Sequence, residues 1–125
     1  MKQLFGTLGL ILLTLIPDFA SANPWVARNG LVVRQTSQTD FEVPWRGLSA
    51  PHEFWCAAGD FAMQRLHVPG RTRLYRVSPE HRGAGEAVRF SLSPEGAQPT
   101  GIAVIGSPLG LRASHARTLC EVLRD

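Results

Sequence analysis

Cysteine and histidine are the side chains of this chain whose chemistry could be catalytic. A thiolate at Cys56, with His67, His81 or His115 as its base, would form a nucleophilic pair of the kind that small hydrolases use. Such a pair needs a reduced cysteine, best placed at the amino end of a helix, where the dipole favours the thiolate. A small envelope cysteine/histidine hydrolase is therefore one interpretation of the sequence.

The residues around Cys56 carry a short resemblance to known enzymes. The segment Phe54-Trp55-Cys56-Ala57-Ala58 is similar to the helix starts of papain-like and cell-wall amidase enzymes, where a cysteine adjoins an aromatic residue. The likeness covers only these residues, and it departs from the family pattern because Cys56 falls in the second turn of its predicted helix. The nucleophilic role that the resemblance implies thus stays the alternative interpretation.

Pairing of the two cysteines is the interpretation that the sequence favours. Cys56 and Cys120 are the only cysteines, and an even number in an oxidising compartment indicates a disulfide. Each lies at the edge of the apolar arc of a predicted helix, where two packed helices would bring the sulfurs together. In the chain-entropy model, closing a loop of this length stabilises the fold by roughly 4 kcal/mol.

Metal and cofactor motifs are not predicted. The histidines show no ligand spacing such as His-x-x-x-His, and the Gly83-Ala84-Gly85 segment lacks a Walker-type lysine and precedes a strand. Glu53 and Asp60 are seven residues apart and share a helix face, but a solvated strip explains them better than an acid/base pair. We therefore expect neither a metal nor a cofactor.

The amino-terminal segment has the pattern of an export signal. Lys2 precedes an apolar run from Leu4 to Ile16, and Ala20-Ser21-Ala22 places small residues before a cut at Asn23. The alternative, a membrane anchor, needs about 20 apolar residues, and this run is shorter. We predict a secretory signal peptide at 1–22 and a single periplasmic or secreted domain at 23–125, with no transmembrane anchor after cleavage.

In the predicted mature domain, arginine is the only residue type that contributes positive charge, apart from histidine. Lys2 is the only lysine, and the net charge of the whole chain is +3. A charge this small is weak evidence for polyanion binding, and an exported protein does not normally meet nucleic acid. The sequence therefore predicts no nucleic-acid partner.

Periodicity predicts an α+β fold, with a small mostly antiparallel sheet of about five strands and two helices packed on one face. The predicted helices run from about Ser49 to Leu66 and from about Ser114 onward. The segment 41–46 contains Pro44 and is predicted as an edge strand. The predicted strands are 31–35, 41–46, 71–77, 86–93 and an apolar central strand at 101–106.

Alternation along these strands suggests a binding surface. If Tyr75 and the other alternating apolar residues face the helices, four arginines share the outward face: Arg34, Arg46, Arg76 and Arg89. They could hold an anionic envelope component or an acidic protein, although a solvated face around Glu42 is the simpler alternative. A one-residue slip in 71–77 would bury Leu74, move Arg76 to the core side and expose Arg71, Arg73 and Tyr75.

Three functions stay open at this level. The first is a small exported, non-catalytic binding module that uses its arginine face, and the second is the Cys56 hydrolase. The third is a structural or accessory subunit recognised by other proteins.

Mass spectrometry of the exported protein tests the signal peptide and the disulfide together. We expect a chain that begins at Asn23 and is two hydrogens lighter than its reduced form. A retained Met1 would contradict the cleavage, and two alkylatable thiols in the native product would contradict the disulfide.

Overall fold

The computed structural model describes residues 24–46, 50–78, 85–106 and 109–121. The predicted signal peptide, His81 and Gly83-Ala84 lie outside these residues. The described chain forms an antiparallel sheet of six strands and two helices that pack together, which confirms the predicted α+β class. The elements are β1 (Trp25–Val26), β2 (Val32–Gln35), β3 (Asp40–Val43), α1 (Pro51–Gln64), β4 (Arg73–Arg76), β5 (Val88–Ser91), β6 (Leu111–Arg112) and α2 (Ala113–Thr118).

The strand order across the sheet is β1-β2-β3-β5-β4-β6. Strand β3 therefore lies between β2 and β5, and its prediction as an edge strand was wrong. The reason is that β3 ends at Val43, so Pro44 lies outside the hydrogen-bonded ladder, where its missing N–H costs nothing.

The predicted central strand at 101–106 was also wrong. Gly101 and Gly106 have φ angles of +81° and +83°, a left-handed backbone that a strand cannot contain. Between them Ile105 is fully exposed, whereas Ile102 and Val104 are partly buried and pack against the core without forming a strand. The sheet gains its last strand from β6, which pairs Leu111 with Leu74 of β4.

Aromatic side chains fill the space between the sheet and α1. Phe41 of β3 contacts Phe61 of α1 at a centroid distance of 4.8 Å, and Phe90 of β5 contacts Trp55 of α1 at 4.9 Å. All four rings are at most 2% exposed. Trp55 also donates its Nε1–H to the carbonyl of Thr100 at 2.8 Å, so the indole dipole is satisfied inside the core.

Helix α1 begins at Pro51, close to the predicted start at about Ser49. Ser49 lies outside the described residues, and Ala50 occupies the cap position. The carboxylate of Glu53 accepts the Ala50 N–H at 2.6 Å and so satisfies a donor near the helix start. The predicted end near Leu66 agrees with the observed end at Gln64 within the usual uncertainty of helix boundaries.

Helix α2 is shorter than its pattern predicted. It spans six residues, ends at Thr118, and leaves Cys120 in the turn that follows. The predicted bond between Cys56 and Cys120 is present, with a Cα–Cα distance of 4.8 Å. The disulfide therefore joins α1 to the segment just beyond α2.

The prediction that Asp60 belongs to a solvated strip on α1 was wrong. Its side chain is buried and accepts Nε–H of Arg117 at 3.2 Å, and its other oxygen accepts the Arg28 N–H at 2.8 Å. A buried carboxylate is tolerated when it is paired and hydrogen-bonded in this way. Asp60 thus faces α2 and the turn that follows β1 rather than solvent.

Gly59 sets the distance between the two helices. A Cβ atom at this position would lie 2.5 Å from the backbone nitrogen of Arg117 and 2.8 Å from the carbonyl oxygen of Ala113. Both contacts are with backbone, which cannot move aside as a flexible side chain can. The closest part of the α1–α2 interface therefore requires glycine.

Gly59→Ala tests this interface, because helix propensity and the close contact predict changes of opposite sign in the stability of the protein. Helix propensity alone would stabilise the protein by up to about 1 kcal/mol. The clash with α2 should instead destabilise it by about 2 kcal/mol, which lowers Tm by roughly 10 °C for a domain of this size. Thermal unfolding of the oxidised protein checks the result, and an unchanged or raised Tm would contradict the close contact.

Candidate anion-binding site

The register of β4 decides which arginines share the outward face. Leu74 is fully buried, and Arg76 lies opposite Phe90, whose side chain faces the helices. Tyr75 lies opposite Ser91 on the outward face. The predicted register was therefore wrong by one residue, and the slip that places Arg76 on the core side is the arrangement observed.

The half-buried Arg76 forms hydrogen bonds within the fold. Its guanidinium donates to the carbonyl of Pro99 at 2.8 and 3.0 Å and to the carbonyl of Ser78 at 3.3 Å. Its own backbone carbonyl accepts the Gln98 N–H at 2.7 Å. Arg76 thus fixes the 98–100 segment against the sheet and is separated from the other predicted site residues.

Arg34 and Arg89 do share the outward face, and both are exposed. Each lies directly opposite Glu42 of β3, on either side of it. Opposite charges at facing positions of neighbouring strands attract, so Glu42 offsets part of the positive charge here. Arg46 lies beyond the end of β3, where it is exposed and already has an interaction of its own.

The same face carries two further arginines that the sequence did not point to as a pair. Arg73 of β4 and Arg112 of β6 are exposed and lie directly opposite each other. The Arg73 Nη1 donates to the carbonyl of Gly110 at 3.3 Å. Within the described ranges neither guanidinium forms an ion pair with a carboxylate.

Charge is therefore unevenly distributed over the outward face. Among the described strands, the outward carboxylates are Asp40 and Glu42, and both lie on β3. Asp40 already accepts the hydroxyl hydrogen bond of Ser91 at 2.6 Å. The half of the sheet formed by β4 and β6 has Arg73 and Arg112 without a facing carboxylate. Like charges at facing positions destabilise a sheet, so this half is the more favourable place for an added anion.

A groove of about 820 Å³ opens beside these two arginines. Its lining includes Arg73, Arg112 and His115, and Ser114 and Thr118 add hydroxyl groups. The rest of the lining is apolar and consists of Leu111 and residues 103–105. Of the residues described as lining the groove none is acidic, so it presents a positive and partly apolar surface.

The structure gives no support to a nucleophilic Cys56. Its sulfur is bonded to that of Cys120, and the residue is fully buried. A cysteine nucleophile requires a reduced and accessible thiolate. Among the described residues there is also no group of three or more histidine, cysteine or acidic side chains placed to hold a metal ion.

No protein-family model, curated protein or solved structure matches the chain. Among the residues that the structure describes, no helix has the length and apolar character needed to cross a membrane. The disulfide is compatible with an extracellular or periplasmic location. The outward face of the sheet, with Arg73 and Arg112, is therefore the feature that indicates a function.

Arg76→Gln distinguishes the structural role of Arg76 from ligand binding. We expect a loss of about 1–2 kcal/mol in the free energy of unfolding, because the substitution removes charge-assisted bonds to two carbonyls. Amide hydrogen exchange at Gln98 should also accelerate. Arg34→Gln is the control, expected to change stability by no more than about 0.5 kcal/mol, and equal effects of the two variants would contradict the structural role.

Proposed function

We propose that this protein is a small exported, non-catalytic module that binds an anionic partner through the outward arginines of its sheet. The observation that carries the proposal is the facing pair of Arg73 and Arg112, which lacks a facing carboxylate in the described chain. Arg34 and Arg89 belong to the same face, but Glu42 between them offsets part of their charge.

The chemistry of the pair favours an oxyanion as the bound group. A guanidinium is planar and donates two parallel hydrogen bonds to a phosphate or carboxylate. Two such groups on adjacent strands can approach one anion from both sides, and the anion relieves their mutual repulsion. The partner is then an anionic envelope component or an acidic protein.

Export is the second part of the proposal. It rests on the predicted signal peptide at 1–22 and is supported by the disulfide, since structural disulfides persist in oxidising compartments. The same disulfide counts against the cysteine hydrolase, because it leaves no thiolate at Cys56. No observation favours an enzymatic role over binding.

Heparin, used as a generic polyanion, tests whether the outward arginines bind anions. We expect the oxidised protein to bind heparin at low salt and to lose affinity steeply as salt rises. Arg73→Gln with Arg112→Gln should weaken binding by at least about tenfold. Arg34→Gln with Arg89→Gln removes the same net charge and serves as the matched control, with a smaller expected loss.

Equal losses in the two double variants would show that only net charge matters and would contradict a site at Arg73 and Arg112. Heparin binding that withstands high salt, or that is absent at low salt, would contradict the proposed function as a whole.

A further inference from the structure

The groove beside Arg73 and Arg112 has a lining of two chemical kinds, and the combination restricts its ligand. The basic part of the lining offers two guanidinium groups together with the imidazole of His115. Residues 103–105 add only aliphatic side chains to the same lining. A ligand that matches both kinds of residue needs an anionic group joined to an apolar body.

Two aliphatic side chains in or near this lining are exposed. Ile105, which lines the groove, is 100% exposed, and Leu109, next to Gly110 just before β6, is 54% exposed. A fully exposed aliphatic side chain in the lining of a basic groove is available to contact an apolar part of the ligand.

We propose that this groove, together with Ile105 and Leu109, binds an anionic phospholipid at a membrane surface. The inference rests on the proposed anion binding and names the molecule that supplies the anion. The lipid phosphate lies between Arg73 and Arg112, and Ile105 and Leu109 enter the boundary between headgroups and acyl chains. Basic residues attract the protein to an anionic surface, and aliphatic residues keep it there.

The arrangement fits a lipid better than an acidic peptide. A peptide carboxylate could pair with either guanidinium, but that contact would leave the fully exposed Ile105 in water. A bilayer supplies phosphate oxygens and apolar chains within a few ångströms of each other, and the lining of the groove has residues suited to both. Charge and apolar contact are then satisfied by one surface.

The experiment measures binding to vesicles of phosphatidylcholine alone and of phosphatidylcholine with about one third phosphatidylglycerol. The protein is used oxidised and as secreted, with its amino terminus determined, because an uncleaved 4–16 segment would bind vesicles by itself. We expect binding to the anionic vesicles only, weakened by added salt. Arg73→Gln with Arg112→Gln should reduce it by about 20-fold, since each arginine near an anionic surface contributes roughly fivefold.

Two further variants separate the apolar contact from the charge. Ile105→Gln leaves every charge in place and should weaken vesicle binding by about tenfold, because the aliphatic side chain no longer enters the interface. The same variant should bind heparin as the unaltered protein does. Arg34→Gln with Arg89→Gln is the control for net charge, with an expected loss of no more than about threefold.

The results distinguish failure of the lipid assignment from failure of anion binding. Heparin binding that depends on Arg73 and Arg112, without vesicle binding, would overturn the lipid assignment and leave the proposed function standing. Preferential binding of polyglutamate over anionic vesicles would do the same. Equal binding to both kinds of vesicle, or an Ile105→Gln variant that binds anionic vesicles normally, would also overturn the assignment.

Discussion

The close contact of α1 and α2 at Gly59 is the constraint on which the rest of the structure depends. Helix α2 has only six residues, and a helix so short does not form on its own in water. It is held by the backbone contact at Gly59 and, just past its end, by the disulfide from Cys56 to Cys120. Because α2 follows β6 directly, these contacts also determine where Arg112 lies.

Two interactions of Asp60 extend the same constraint to the amino-terminal end of the described chain. Its carboxylate joins Arg117 of α2 to the backbone of Arg28, and the Arg28 side chain lies 3.4 Å from Glu121. If this buried carboxylate lost one of its two partners, the cost of its desolvation would no longer be compensated. The helix interface and the start of the sheet are therefore coupled through a single buried side chain.

Local sequence patterns were sufficient to predict the elements that have regular periodicity. They were insufficient where tertiary contacts determine whether a segment forms a strand and which residues it buries. Helix α1, strands β2 and β5 and the disulfide could be predicted from apolar spacing and cysteine count. Strand β6 has only two residues and carries no periodic signal. The apolar run at 102–105 resembled a buried strand, but left-handed glycines flank it, and only Ile102 and Val104 pack against the core while Ile105 is exposed.

The candidate site was harder to predict because it depends on register. Leu74 and Tyr75 are adjacent, and both are acceptable core residues, so the sequence could not decide which of them faces the helices. Asp60 was misplaced for a related reason, since a polar residue on an apolar helix is usually solvated. Only its contacts with Arg28 and Arg117, which are distant in sequence, make its burial favourable.

The number of arginines on a face says less about ligand binding than the position of the nearest carboxylates. Arg34 and Arg89 are as exposed as Arg73 and Arg112, yet they flank Glu42 across the strands. Arg76 has the same charge but uses it to hold the carbonyls of Pro99 and Ser78. Among the described strands, β3 carries both outward carboxylates, so the unbalanced charge lies at the β4–β6 end of the sheet, where α2 and the exposed Ile105 also lie. The covalent link that places α2 thus brings an unbalanced positive charge to the same edge of the small sheet as an exposed aliphatic side chain.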